Sequence, residues 1–323
     1  MEISTAKFNQ VKKEIQKNKR ILILTHRAPD GDAIGSALAL NYFFQKQKKQ
    51  AFIFIPQPPK FLRFLPGFEK LQQKPPENPN FDLIFALDYA DKERLEIPQN
   101  IKLLHQKVIT FDHHLSGDRI GKIKLIGPKA SSTAEMIYLF FKFQKVEINK
   151  NLATLLLTGI LTDTVGFCRS SQNYQKVEKI IGELILAGGE LFKIMSAYQH
   201  LELSRAKILA KFLERAEKDG NLNLIYSYLL MSDFKGEKGL NLSEPPIFPD
   251  FLASIGDAEI YLTLIEQKHK IKVSLRSYNG VDVSRIAQKF RGGGHKYAAG
   301  CKIEGNLFEV LERIKKELKK EKR

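Results

Sequence analysis

Short apolar runs of strand-forming residues alternate with longer stretches of helical spacing between residues 21 and 189. The runs are ILILT (21–25), FIFI (52–55), DLIFAL (82–87), KVITF (107–111) and KLIG (124–127). Between and after them, AIGSALALNYFFQK, STAEMIYLFFKF, NLATLLLTGILT and YQKVEKIIGELILAG place apolar residues three and four apart, the period of a helix that buries one face. Strands that are apolar throughout are buried on both faces and need helical crossovers. The pattern therefore predicts an α/β domain on a mainly parallel sheet flanked by helices. Gly188-Gly189 marks the stop of the last of these helices.

An amphipathic helical stretch follows from about 191 to 218 and reads as a connector. From Leu222 the pattern changes to NLIYSYLL, EIYLTLIEQ and KIKVSLRS, then the helix VDVSRIAQKF, a glycine cluster and a last helix from about Leu307. EIYLTLIEQ and KIKVSLRS, joined at KHK, predict an antiparallel hairpin. This second, smaller α/β domain is expected to have a mixed sheet. The expected division is 1–189, a linker at 190–218, and 219–323. Residues 235–250 hold three prolines and two glycines and predict an irregular excursion.

A length of 323 residues exceeds the size at which one core stops growing, which supports two domains. Hydrophobic residues at 43% and charged residues at 27% exclude a disordered, collagenous or coiled-coil chain. The polar start MEISTAKFNQVKKE predicts no export signal, and no run of about 18 apolar residues predicts a membrane span. Cys168 and Cys301 are too few for a disulfide framework or a thiolate zinc site, and a reducing, cytoplasmic compartment is expected. Lys and Arg number 52 against 36 Asp and Glu, a net charge of +16, which points to a polyanionic partner. The lysines of LERIKKELKKEKR read instead as the solvated face of an amphipathic helix.

The chemistry lies where the apolar runs end. ILILT runs into His26, with Asp30 and Asp32 in the turn HRAPDGD. DLIFAL runs into Asp88, and KVITF into Asp112-His113-His114. Asp163 stands at the end of the apolar helix GILTDT. In an open parallel sheet these carboxyl ends border the ligand crevice. Any one of these residues could be a helix cap, a turn or a surface histidine, but their recurrence at successive strand ends favours a site. Several carboxylates and imidazoles in one cleft repel each other unless cations lie between them. Two divalent ions would cancel about four carboxylate charges. Asp and His ligation without thiolate points to Mn²⁺ or Mg²⁺.

A second signal is RGGGHKYAAG (291–300). Gly292, Gly293 and Gly294 can turn their amides inward into an anion-binding nest beside His295, or simply end the helix before them. Arg276 and Ser277, at the end of KVSL, favour a phosphate grip.

In these motifs and their order the chain resembles the DHH phosphoesterases, whose triplet stands here as Asp112-His113-His114. GGGH and SLRS resemble the associated DHHA1 domain. The likeness covers nearly the whole chain, and among its branches the chain most resembles the stand-alone nanoRNases, the bifunctional oligoribonuclease and pAp phosphatase group. The resemblance implies a binuclear manganese site, with Mg²⁺ as substitute. His26, Asp30 and Asp88 would hold one ion; Asp32, Asp88, His113 and Asp163 would hold the other. It implies that Asp112 orients a metal-ligating histidine and that His114 faces the scissile phosphate. Arg276, Ser277, His295 and the backbone of Gly292, Gly293 and Gly294 would grip substrate. The expected activity is hydrolysis of short RNA to mononucleotides, with dephosphorylation of pAp. The alternatives are pApA or cyclic di-AMP cleavage, polyphosphate hydrolysis, or nucleic-acid binding without catalysis. Domain closure on short substrates and a homodimer are further expectations, and no membrane partner is expected. One departure is Asp163-Thr164-Val165-Gly166-Phe167-Cys168-Arg169, where the family often reads Asp-Thr-Gly-x-Phe-Arg.

Overall fold

The computed structural model describes residues 4–115, 117–164, 174–235, 247–278 and 281–321. The chain divides into two units, Met1–His200 and Leu201–Arg323.

The first unit runs α1 (Thr5–Lys17), β1 (Arg20–Leu24), α2 (Gly31–Lys46), β2 (Gln50–Phe54), β3 (Leu71–Gln72), β4 (Leu83–Leu87), β5 (Val108–Asp112), β6 (Ile123–Ile126), α3 (Thr133–Phe143), α4 (Lys150–Asp163), α5 (Tyr174–Leu186) and α6 (Leu191–Gln199). Its six strands lie in the order β3-β2-β1-β4-β5-β6, and every neighbouring pair is parallel. The chain winds outward in one direction from β1 and in the other from β4, so the strand order reverses between these two. That reversal opens a crevice at their carboxyl ends. Strand β4 is buried throughout, as an all-apolar run in the middle of a parallel sheet requires. The expected strands form within two residues of their predicted limits. The short edge strand β3 and the amphipathic α1, whose Phe8, Val11 and Ile15 enter the core, were not foreseen.

Helices α2 and α4 pack closely enough that glycine is needed between them. A β-carbon on Gly35 would stand 2.5 Å from the Leu155 carbonyl oxygen. Gly188 ends the region after α5 with φ +91°, and the Gly189 amide donates back to Leu184.

The second unit runs α7 (Leu203–Glu214), β7 (Glu217–Asp219), β8 (Leu224–Leu229), α8 (Ile247–Ala253), β9 (Ile260–Gln267), β10 (Lys270–Ser277), α9 (Val283–Lys289), β11 (Gly293–His295), β12 (Ala298–Ile303) and α10 (Leu307–Glu321). The sheet order is β11-β12-β10-β9-β8-β7. Only β8 and β9 pair in parallel, which makes the sheet mixed. One sheet face packs on α9 and α10, and the other on α7 and α8.

Two expectations need correction. The stretch 190–218 is not one connector: Ile194 of α6 joins the first core, while Ile208, Leu209 and Phe212 of α7 belong to the second. The excursion expected over 235–250 ends early in α8, because Ile247–Ala253 has an apolar face to bury and its proline sits in the first turn, where no amide is missed. The intervening 236–246 lie outside the described residues.

Candidate metal centre

The first unit gathers seven predicted residues at the carboxyl ends of β1, β4 and β5 and the end of α4. Three overlapping groups place their ligand atoms within 4.8 Å of one another: His26, Asp30 and Asp88; Asp88, His113 and His114; and Asp32, His113 and Asp163. Asp88 and His113 each belong to two groups.

Local structure fixes each donor. The His26 ring contacts the Arg27 carbonyl oxygen through Nδ1 at 2.8 Å. A carbonyl only accepts, so Nδ1 carries a proton and Nε2 is the atom turned toward Asp30 and Asp88, at 3.9 and 3.8 Å. Asp30 caps α2 by accepting from the amides of Asp32 and Ala33 through one oxygen. Asp32, in the first turn of α2, reaches the start of α3. Its two oxygens accept from the amides of Thr133, at 2.6 Å, and Ala134, at 2.8 Å. Asp88 follows β4 with φ +55°, a left-handed conformation rare for a residue with a side chain, and accepts from the Thr133 hydroxyl.

Asp112 is fully buried. One oxygen accepts from the His114 amide and lies 2.8 Å from His114 Nδ1; the other accepts from the amides of Tyr89 and Ala90. The ring it contacts is that of His114, whereas the resemblance implied that it orients a metal-ligating histidine. His113 sends Nε2 to within 3.2 Å of Asp163 and 3.5 Å of Asp88. Arg119, which the sequence reading passed over, lies 3.5 Å from Asp112 and donates to the His114 carbonyl.

The electrostatics are those of a site short of positive charge. Burial pushes the Asp32 carboxyl well above the usual range, and the neighbouring carboxylates of Asp88 and Asp163 push it further. Burial alone would lower His113, but Asp163, Asp88 and Asp32 together bring it up to about 9. Four carboxylates and three imidazoles converge, with no thiolate among the described residues, a donor set that fits hard divalent cations. Thr133 and the α3 terminus were also missed as parts of the site. The signal was present as Ser132-Thr133-Ala134-Glu135, a capping pattern in which Ser132 accepts from the Glu135 amide.

The second set of predicted residues lies in the second unit. Arg276 is on β10, with Nε 2.9 Å from Asp250. Ser277, the next residue, points to the opposite face and donates its hydroxyl to the Val281 carbonyl, so the strand does not present the two together. The expected glycine nest is not formed. The Gly292 amide is used by the Ala287 carbonyl at the end of α9, where Arg291 takes φ +56°, and Gly293–His295 form an edge strand on β12. Gly292 and Gly294 have a packing reason, since β-carbons there would meet the carbonyl oxygens of Gly300 at 2.3 Å and Ala298 at 2.4 Å. Beyond Thr164, the departure containing Val165 and Cys168 lies outside the described residues.

A parallel sheet with this cluster at its switch point, followed by a mixed-sheet domain, defines the class. Residues 20–160 match the DHH family, N-terminal domain, and residues 221–320 match the DHHA1 domain. The chain belongs to the DHH phosphoesterase family. It is 30% identical over 303 residues to the bifunctional oligoribonuclease and PAP phosphatase NrnA of Thermus thermophilus, covering 93% of this chain and 90% of that protein. It is 24% identical to the cyclic-di-AMP phosphodiesterase GdpP of Bacillus subtilis, over 94% of this chain but 48% of that one. An exopolyphosphatase-related protein from Bacteroides fragilis has a similar structure, with a TM-score of 0.87, 27% identity, and coverage of 99% of this chain and 97% of that one. Among the described residues no helix is long and apolar enough to cross a membrane.

Proposed function

We propose that the protein hydrolyses short oligoribonucleotides to mononucleotides and removes the 3′-phosphate of pAp, with two Mn²⁺ ions, or Mg²⁺ in their place. The observation that carries this reading is that Asp88 belongs both to the group with His26 and Asp30 and to the group with His113 and His114, where it would serve two ions. The likeness to an oligoribonuclease and PAP phosphatase along most of both chains supports the substrate class.

His26, Asp30 and Asp88 would hold one ion, and Asp32, Asp88, His113 and Asp163 the other. When bound, the ions supply a water acidified to hydroxide and neutralise charge growing on the phosphoryl oxygens. The chain's own residues prepare for this. The Arg27 carbonyl keeps a His26 proton on Nδ1 and so leaves Nε2 as the ligand atom. The α3 amides hold the Asp32 carboxylate in one rotamer. Asp112 fixes the His114 ring, whose proposed role is to meet an oxygen of the scissile phosphate. In the DHHA1 unit, Arg276, His295 and the outer-edge backbone of β11 are the proposed grip on a substrate phosphate. Cytoplasmic location and a homodimer accord with this reading.

The test is a time course with Mn²⁺ on a labelled RNA dinucleotide, pAp, pApA and cyclic di-AMP, with Asp163→Ala as control. Mononucleotide release from the RNA dinucleotide and dephosphorylation of pAp, both lost in the variant, are expected. Turnover restricted to pApA or cyclic di-AMP would move the enzyme to second-messenger cleavage, and turnover of polyphosphate alone would replace the RNA reading.

A further inference from the structure

The two faces of the second sheet are chemically unlike. Along β10, Ile271, Val273 and Leu275 enter the core under α9 and α10, so alternation places Lys272, Ser274 and Arg276 on the opposite face. The register with β12 sets Lys302 directly across from Lys272, Gly300 across from Ser274 and Ala298 across from Arg276. Gly293 of the edge strand stands across from Gly300, and on the other side Thr263 of β9 stands across from Ser274. A row of small and hydroxylated residues therefore separates a lysine pair from the row of Arg276.

Folding alone gives no reason for this arrangement. Like charges directly opposite in an antiparallel pair are destabilising. Lys272 is half-buried, and burial, then Lys302 and Arg276, hold its ammonium below the usual lysine range. Arg276 is paired with Asp250, whereas among the described residues neither lysine has a carboxylate at ion-pair distance. In the row between them, the Thr263 hydroxyl is buried with no hydrogen-bond partner. A β-carbon on Gly293 would meet open space, so the floor at that end is clear. Two cations without a carboxylate partner, beside the open backbone of Gly293 and above buried hydroxyls, form a surface that an anion completes.

We propose that Lys272 and Lys302 form a second phosphate subsite on the DHHA1 unit, which engages oligoribonucleotides too long for the Arg276 row alone and so sets the preferred substrate length. This rests on the RNA hydrolase reading above. Lys272 and Arg276 are four residues apart, about 13 Å along the strand. The lysine pair therefore serves a phosphate beyond the one at Arg276.

The experiment compares Lys272→Met and Lys302→Gln with the wild-type protein on pAp and on RNA di-, tri- and tetranucleotides. A second arm measures binding of a fluorescein-labelled phosphorothioate RNA tetranucleotide in EDTA across a salt series. The ratio of kcat/KM for tetranucleotide over pAp is expected to fall about tenfold in each variant, chiefly through KM. The slope of log affinity against log salt is expected to drop by about one. An unchanged ratio with an unchanged slope would overturn the subsite. Equal loss on every substrate, pAp included, would also overturn it, by marking the lysines as general supports. If the wild type cleaves no RNA, the hydrolase reading fails by itself, and the binding arm still decides the lysine pair. Removing one of two opposed lysines relieves repulsion, so melting temperatures at or above wild type are expected.

Discussion

The Asp112 carboxylate grips His114 twice through one oxygen, which lies 2.8 Å from both the backbone amide and the ring Nδ1 of His114. Its other oxygen takes the amides of Tyr89 and Ala90, in the turn where Asp88 and Ala90 both adopt left-handed φ. One buried side chain thus orients the histidine and holds the strained turn that carries Asp88. Burial by itself would raise this carboxyl. The hydrogen bonds from His114, with its charge and that of Arg119, hold it well below the usual range, so it is an anion at any working pH.

Asp112→Asn preserves the shape and removes the charge. By analogy with the carboxylate that orients the histidine of a serine protease, kcat is expected to fall by about 10³ to 10⁴, with KM changed only a few-fold. Asp112→Asn turns its NH2 toward backbone amides on one side and so should lower the melting temperature, while Asp112→Ala leaves the Tyr89, Ala90 and His114 amides all without this acceptor, at about 1–3 kcal/mol each, and should lower it further. Kinetics and melting curves on both variants check this. Near-wild-type turnover in Asp112→Asn would show that His114 needs no anionic partner.

Asp88 links the two ligand groups, and Asp30 belongs to only one of them. Metal analysis after dialysis against Mn²⁺ should therefore find two ions per chain in the wild type, one in Asp30→Ala and none in Asp88→Ala. Saturating Mn²⁺ should raise the wild-type melting temperature, since a ligand at about 100 times its dissociation constant adds about 2.7 kcal/mol to the folded state. The gain should shrink in Asp30→Ala and vanish in Asp88→Ala. Two ions retained in Asp88→Ala would remove it as the bridge.

What the sequence made legible follows the range of the interactions. Strands β1, β4 and β5 could be read because burial on both faces leaves an unbroken apolar run, and His26, Asp88 and Asp112 stood out as the first polar residues after each. The supports of those ligands come from afar. Asp32 rests on amides about 100 residues away, and nothing in HRAPDGD foretells that partner. The glycine cluster was legible only in part for the same reason. RGGGH has a local helix-stop signal, but its strand conformation is imposed by Ala298–Ile303, whose alternation of small residues is too weak to announce a strand. Ser277 looked like a companion of Arg276 because the two are adjacent in sequence, and adjacency in a strand is what sends them to opposite faces.

The Arg215 and Asp233 side chains form a two-pronged ion pair, with Nη1–Oδ2 at 2.5 Å and Nη2–Oδ1 at 2.9 Å, which ties the end of α7 to the turn after β8. The Arg215 hydrogen bond, followed by the Leu230 amide and the Arg215 charge, lowers the Asp233 carboxyl despite burial. A lowered carboxyl contributes stability that is present above the ordinary aspartate range and is lost as pH falls through its folded value. Asp233→Asn is therefore expected to cost about 1–3 kcal/mol at pH 7, with the deficit shrinking below about pH 4. Urea titrations of both proteins at pH 7 and pH 3 check the sign. A deficit that stays constant with pH would mean that packing, not charge, is what the substitution removed.

Gly159 of α4 lies where helix packing and the candidate centre meet. A β-carbon there would stand 2.5 Å from the Ala134 β-carbon and 2.8 Å from Asp32 Oδ1. Both neighbours are buried, and Asp32 is held by the α3 amides, so neither can retreat without moving a helix. Gly159→Ala should cost about 1–3 kcal/mol by overpacking and should weaken Mn²⁺ binding, because it displaces the carboxylate of Asp32, a candidate ligand. The two effects are separable. Ala134→Gly in the same chain removes the contact with the β-carbon and should restore part of the stability while leaving Asp32 crowded. Melting curves and Mn²⁺ titrations of the two single variants and the double variant form the cycle that tests this. If the double variant regains metal affinity along with stability, the loss came from helix displacement; if stability alone returns, the glycine is there to leave room for the Asp32 carboxylate.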